Sequence, residues 1–283
     1  MILRSAAFGT LARLRALAAT VLLSAGLASA AVIAPALAAP KPAPTPEEVS
    51  MAFSDEEITD GFMRTVFGSE GAPSVADNDQ VHKFTGPIRV FVVSTAITDR
   101  RAQIERFVRI LNRTVANLNI RTVKRKEDAN MVVHLVNRSE YTKVIRATLP
   151  PDFDTRFLES NHCSAVTGGR RGGVLESAHV FIAASETWRP FRHCMVEEIT
   201  QALGPVNDDS SLPYSIFNDD SEVPGFGIFD WFILNVLYDR RVKPGMSPEE
   251  VKPVLPRAIA DARKRLKKLV AAKVIESGSR KPD

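Results

Sequence analysis

Apolar residues recur at helical spacing along much of the chain, and two short runs are rich in β-branched residues. The capping-box spacing of Ser54 to Glu57 predicts a helix that begins there and ends before Gly68. Pro87 to Val93 and Met131 to Val136 have the composition of strands. Between them, Asp99 to Leu118 predicts an amphipathic helix. The pattern is typical of an α/β domain.

The second half of the chain alternates in the same way and ends in helices. Pro150 to Gly173, which finishes in a glycine-rich run, is predicted to be a loop. Ala178 to Ala183 is predicted to be a strand, and a helix is expected from about Trp188 to Leu203. Two more helices are predicted, Phe226 to Tyr238 and Arg257 to Ile275. The predicted fold class is α/β (α+β), with a mixed sheet, a helical N-terminal lead-in and a helical C-terminal extension.

The N-terminal residues have the three-part pattern of an export signal. Arginines are followed by an apolar run, Ala16 to Leu27, and then by small-residue cleavage sites after Ala30 and Ala38. The apolar run is shorter than the ~20 residues of a spanning helix. We expect cleavage, and a periplasmic or secreted protein that does not span the membrane. The alternative is an uncleaved anchor, because the uncharged stretch continues past Leu27.

Signal cleavage changes the interpretation of the charge. The chain has 37 basic and 33 acidic residues, and the loss of three arginines leaves 34 basic residues against 33 acidic ones. The nearly neutral mature protein gives no support to a nucleic-acid partner.

The expected organisation has five parts and one disulfide. Residues 1–38 are the predicted signal, 39–53 a flexible linker, 54–243 the main domain, 244–276 the C-terminal extension and 277–283 a disordered tail. The chain has two cysteines, Cys163 and Cys194. In an oxidising compartment two cysteines are most simply one disulfide, and a free buried pair is the alternative.

A polar run near the end of the predicted helix carries the candidate chemistry. Glu197 and Gln201 are four residues apart and share one helix face, with Glu198 beside them. With Gly204 and Asn207, the run keeps the spacing, glutamate and glycine of H-E-x-x-H-x-x-G-x-x-H, although every histidine is replaced. In that motif the glycine lets the chain turn sharply.

A second segment extends the likeness. Ser215 to Asn218 resembles a Met-turn, with Phe217 in the place of the methionine. Together these features resemble the metzincin zinc proteases, over about Pro87 to Tyr238. The resemblance implies a metzincin-like sheet and an active-site-type helix. It places Glu197, Gln201 and Asn207 at degenerate ligand positions, with Phe217 beneath them.

The chain also resembles a group of exported proteobacterial proteins, family 2927 of the domains of unknown function. This resemblance spans nearly the whole mature chain and names no activity. The residues that carry it include Gly61-Phe62, Cys194, Glu197-Glu198, Gln201 to Gly204 and Leu237 to Asp239.

The replaced ligands do not suit zinc, which binds Cys, His, Asp and Glu. One carboxylate and two neutral amides suit a hard cation such as calcium better, and no cofactor is expected. A metal one turn back could use His193 and Glu197, with His162 or His179 as a third ligand. The alternative is that His193 is an ordinary helix residue, since such pairs are common by chance.

Glu198 is the candidate catalytic residue. Adjacent helix positions point about 100° apart, so a facing pair with Glu197 is not expected, and a partner would come from Asp208, Asp219 or Asp220. The alternative is that Glu198 and Gln201 hydrogen-bond the loop that follows. The leading hypothesis is a non-catalytic pseudoprotease that binds a peptide or a cell-envelope component. The other hypotheses are an atypical metal-dependent peptidase and a metal-free carboxylate hydrolase.

Overall fold

The computed structural model describes residues 43–67, 79–159, 161–218 and 225–275. The predicted signal, residues 1–38, and the predicted tail, residues 277–283, lie outside the described residues. The helices are α1 Pro46–Ser50, α2 Asp55–Val66, α3 Arg101–Thr114, α4 Tyr141–Thr148, α5 Arg156–Glu159, α6 Trp188–Gln201, α7 Ile228–Leu237, α8 Pro248–Val251 and α9 Leu255–Ala271. The strands are β1 Lys83–Phe84, β2 Ile88–Ser94, β3 Ile120–Thr122, β4 Met131–Val136, β5 Cys163–Arg170 and β6 Val174–Ala183.

The strands form one mixed sheet with a parallel centre. Strands β3, β2, β4 and β6 lie side by side in that order, all parallel, and short β1 pairs with the start of β6. Strand β5 runs antiparallel to β6 and forms an edge of the sheet. Every residue of β4 is buried. Its residues other than His134 are apolar, which is expected where both faces of a parallel sheet are covered.

Helices cover both faces of the sheet. Successive side chains of β6 point to opposite faces and show which helices pack on each face. Val180 and Ile182 face a large core that also contains buried residues of α2, α3, α6, α7 and α9. Phe181 faces a smaller cluster with Tyr141 and Ile145 of α4 and Leu158 of α5. The predicted α/β class is therefore confirmed, with helices at both ends of the described chain.

The predicted loop from Pro150 to Gly173 is wrong, because it contains α5 and the eight-residue strand β5. Strand β5 has the sequence CSAVTGGR, which carries little β-branched or alternating apolar signal. Pairing with β6 stabilises this segment as a strand, which its composition does not predict.

The predicted flexible linker is also too long. Residues 46–50 form α1, which begins with a capping box between Thr45 and Glu48. Val49 and Phe53 are buried in the large core, so this part of the chain is held by apolar packing. The C-terminal extension joins the same core through residues such as Leu255, Ile259 and Leu266. In the described part of the chain, no helix combines the length and the hydropathy needed to cross a bilayer.

Candidate functional site

Helix α6 lies against the outer part of the sheet and contacts both β5 and β6. Its apolar residues, including Phe191, Met195 and Ile199, enter the large core. Glu197, Glu198 and Gln201 are also buried, at 4%, 6% and 9% exposure. Carboxylates are seldom buried to this degree unless they are paired or hydrogen-bonded, so the last turn of the helix is an unusual environment.

The predicted disulfide is confirmed. Cys163 at the start of β5 and Cys194 of α6 are bonded, with their Cα atoms 5.7 Å apart. The bond links the edge strand to the helix one turn before Glu197 and Glu198. In the disulfide form neither sulfur is a thiolate that could bind a metal.

Two carboxylates meet beside this disulfide. Oxygen atoms of Glu197 and Glu198 and the Sγ atom of Cys163 lie within 4.8 Å of one another. The prediction that adjacent glutamates would not face each other is wrong. Glutamate side chains are long enough for carboxylates to converge although their Cα–Cβ bonds diverge on the helix.

The structure brings only one of the candidate histidines to this group. His193 Nε2 lies 3.4 Å from Glu197 Oε2, one helical turn away. The ring of His162 pairs with Glu186 at 3.2 Å, and that of His179 with His134 at 3.1 Å. Among the described residues, the group of potential metal ligands is Cys163, Glu197 and Glu198, without His162 or His179.

The other two degenerate ligand positions serve the loop that follows α6. Gln201 Nε2 donates to Asp208 Oδ2 at 2.8 Å. The side-chain and backbone amides of Asn207 donate to the carbonyls of Arg64 and Thr65 at the end of α2. The bond from Gln201 agrees with the alternative in which this polar run holds the loop in place, and the two bonds from Asn207 attach the same loop to α2.

Gly204 makes the sharp turn that the motif predicts. Its φ is +135°, and a Cβ atom built there would lie 2.1 Å from the carbonyl oxygen of His82. A larger residue would therefore meet both backbone strain and a backbone clash. The turn lets the chain leave α6 close to the strand that begins at Lys83.

Phe217 is fully buried, and the turn that contains it is hydrogen-bonded to the carboxylate of Asp230. Asp230 of α7 accepts hydrogen bonds from the Ser215 hydroxyl at 2.8 Å, the Ile216 amide at 3.0 Å and the Gly227 amide at 3.0 Å. Burial raises the pKa of Asp230 to about 6, and the hydrogen bonds limit the rise. Sequence reasoning missed Asp230, which is separated from Ser215 by a whole loop.

Residues 55–257 match the model of the family described as Protein of unknown function (DUF2927). That span is well over half of the 283 residues. The chain belongs to the DUF2927 family. The match covers both cysteines, all of α6 and the turn around Phe217. No curated protein matches the sequence.

A second residue of the DUF2927 region that sequence reasoning missed is Tyr141. Its hydroxyl lies 2.8 Å from Ser164 Oγ, beside Cys163 in β5. Burial raises the pKa of Tyr141 far above its usual value, and the negative charge of Glu198 raises that pKa further. The tyrosine is therefore part of the electrostatic environment of the carboxylate pair.

The three positions that the predicted metzincin resemblance assigns as ligands do not fit a metzincin-type zinc ion. Glu197 faces the disulfide, while the amides of Gln201 and Asn207 donate in two other directions. Zinc also takes neither amide as a usual ligand. Asp219 and Asp220, which the sequence offered as partners for Glu198, lie outside the described residues, and Asp208 is bonded to Gln201.

Proposed function

We propose that the protein is an exported, non-catalytic domain that binds an extended peptide along β5, next to α6. The peptide would belong to another exported protein or to a component of the cell envelope. The supporting observation is the edge position of β5. Within the described residues, β6 pairs with one side of β5 and no strand pairs with the other. An exposed edge is a template for the addition of a strand.

The alternation of hydrogen bonds identifies the backbone groups available to such a peptide. The amide of Ala183 donates to the His162 carbonyl at 3.1 Å. In the antiparallel β5–β6 pair, this bond determines which residues of β5 direct their backbone groups toward β6. Ser164 and Val166 then direct their backbone groups toward β6, and Ala165 and Thr167 direct theirs outward. Exposure also rises along β5 from Cys163, which is buried, to Arg170, which is exposed. A peptide would add here as a further antiparallel or parallel strand.

The proposal includes a degenerate metzincin-like origin and export to the periplasm. Support for the first is the order of elements: strand, long helix, strands, the helix with the polar run, a turn and a further helix. Support for the second is the three-part pattern of residues 1–38 and the disulfide, since disulfides persist in oxidising compartments. The proposed binding needs no metal.

Selection of peptides tests the proposal. The disulfide-bonded protein is used to select binders from a library of random octapeptides, and the enriched peptides are titrated. Thr167→Pro, which removes an outward amide, should weaken binding at least tenfold. The matched control is Thr122→Pro on the opposite edge strand β3, where Thr122 also faces outward because Asn119 and Val123 bond to β2. It should leave binding unchanged.

Circular dichroism must show that both proline variants are folded. A library that yields no binder, or binders that Thr167→Pro retains at full affinity, would refute the proposal.

The carboxylate pair favours one second candidate, a metal-free hydrolase that uses Glu198. Two carboxylates about 5 Å apart occur in retaining glycosidases. Both carboxylates here are almost completely buried, which argues against access by a substrate. Cleavage of a selected peptide or of a cell-wall glycan in the presence of a chelator, lost in Glu198→Gln, would replace the binding proposal by this one.

A further inference from the structure

Four side chains with metal-binding chemistry converge where β5 meets α6. Cys194, Glu197 and Glu198 are at positions i, i+3 and i+4 of the helix and therefore share one face. Cys163 comes from the facing strand and is bonded to Cys194. Cys163 Sγ, one carboxylate oxygen of Glu197 and one of Glu198 all lie within 4.8 Å of one another. All four residues are buried.

In the disulfide-bonded chain this group is closed to metals, because each sulfur uses its bonding capacity on the other. A metal ligand needs a thiolate. Reduction would free two sulfurs without requiring the carboxylates to move far. Donor atoms around a tetrahedral zinc ion with bonds of about 2.0–2.3 Å lie about 3.3–3.8 Å apart. The observed limit of 4.8 Å exceeds that spacing by about 1–1.5 Å, so the ligands would have to move inward by that amount to bind zinc.

We propose that reduction of the Cys163–Cys194 bond opens a zinc site formed by Cys163, Cys194, Glu197 and Glu198. A dithiol supplies two electrons and two protons, the S–S bond breaks, and the dithiol becomes a disulfide. Binding of Zn²⁺ then releases the protons of the two thiols. Two thiolates and two carboxylates complete a tetrahedral site of the structural kind.

The surroundings favour a divalent cation of intermediate softness. Two buried carboxylates this close repel each other when both are ionised, and a cation between them removes that repulsion. Thiolate ligands select zinc over calcium or magnesium. His193, at 3.4 Å from Glu197, is placed to hold that carboxylate from outside the group. The proposal is independent of the peptide-binding function, which concerns the disulfide form.

Zinc titration against a chromogenic chelator tests the proposal. Protein is reduced with a dithiol, freed from it under argon and compared with oxidised protein. Reduced protein should bind one equivalent of Zn²⁺ at least 100-fold more tightly than oxidised protein. Co²⁺ in the reduced protein should give a thiolate-to-metal charge-transfer absorption in the near ultraviolet.

Three variants identify the ligands. Cys163→Ser/Cys194→Ser should bind weakly with or without reductant, which separates ligation by sulfur from simple opening of the bond. Glu197→Gln/Glu198→Gln should weaken binding to the reduced protein at least 100-fold. The matched control is Glu249→Gln/Glu250→Gln, an exposed adjacent pair in α8, and it should not change the affinity.

Circular dichroism of each reduced variant establishes that it is folded before it is titrated. Equal affinity of the oxidised and reduced proteins would overturn the proposal. Tight binding retained by folded Glu197→Gln/Glu198→Gln would overturn it as well, because the thiols alone would then hold the ion.

Discussion

Asp230 accepts a hydrogen bond from Ser215 at 2.8 Å in the interior of the protein, across 15 residues of chain. The bond fixes the turn that contains Phe217 to helix α7. It also forces a carboxylate into a fully buried position, where its pKa rises to about 6 because of burial. A structural contact of this kind makes stability depend on pH.

Asp230 should make the protein less stable as pH rises from about 4 to about 6. The folded state holds the Asp230 proton over that interval and the unfolded state releases it, so the stabilisation present in acid is lost. The shift from 3.8 to about 6 corresponds to about 3 kcal/mol. Asp230→Asn removes this pH dependence, and the partly buried Gly227 amide loses its carboxylate acceptor. Urea unfolding between pH 4 and 7 should show a larger destabilisation by Asp230→Asn at pH 4. A constant difference across that range would contradict the prediction.

His134 should act in the opposite direction over nearly the same pH range. Burial first, then the charges of His179 and Lys126, lower its pKa from 6.5 to about 4. The unfolded chain binds this proton first, so stability present above pH 6.5 is lost as pH falls toward 4, by about 3 kcal/mol. The difference in the free energy of unfolding between the wild type and His134→Gln should therefore be smaller at pH 4 than at pH 7. Asp230→Asn is the control, because its trend has the other sign.

The parts of the fold that sequence predicts are those with a strong local pattern. Helix α3 has apolar residues at helical spacing, and β4 is apolar except for His134. Strand β5 was missed because its glycine-rich sequence becomes a strand only through its long pairing with β6. Local propensity is a weak guide where tertiary contacts decide.

The sequence predicted which residues belong to the candidate site, but it did not predict how their side chains are arranged. The motif located α6 and the turn at Gly204, and the presence of two cysteines predicted the disulfide. It could not show that Glu197 and Glu198 converge on Cys163, since side-chain rotamers are set by the facing strand. It also could not show Asp230 beneath Ser215, because that contact depends on how α7 returns to the turn.

Removal of the disulfide should lower the free energy of unfolding by roughly 3–4 kcal/mol. The two cysteines are 31 residues apart, and a loop of that length loses this much entropy in the unfolded chain when it is closed. Cys163→Ser/Cys194→Ser compared with the oxidised wild type by urea unfolding gives the difference. Reductant should destabilise the wild type and leave the double variant unchanged. A difference below about 1 kcal/mol would mean that the unfolded chain without the disulfide is already nearly as restricted as the unfolded chain with it.

Gly204→Ala should be among the most destabilising alanine substitutions in the protein. The added Cβ atom would lie 2.1 Å from the His82 carbonyl oxygen, and the φ of +135° is unfavourable for any residue with a side chain. Since the clash with His82 involves backbone atoms, it cannot be relieved by a rotamer change, and we expect a loss of more than about 3 kcal/mol in the free energy of unfolding. Gly86→Ala is the matched control, because nothing lies within 4 Å of a Cβ atom at that position. It should be neutral or stabilise the protein by up to about 1 kcal/mol through the unfolded state. Thermal unfolding of the two variants side by side measures the contrast, and similar midpoints would show that the turn after α6 is free to move away from His82.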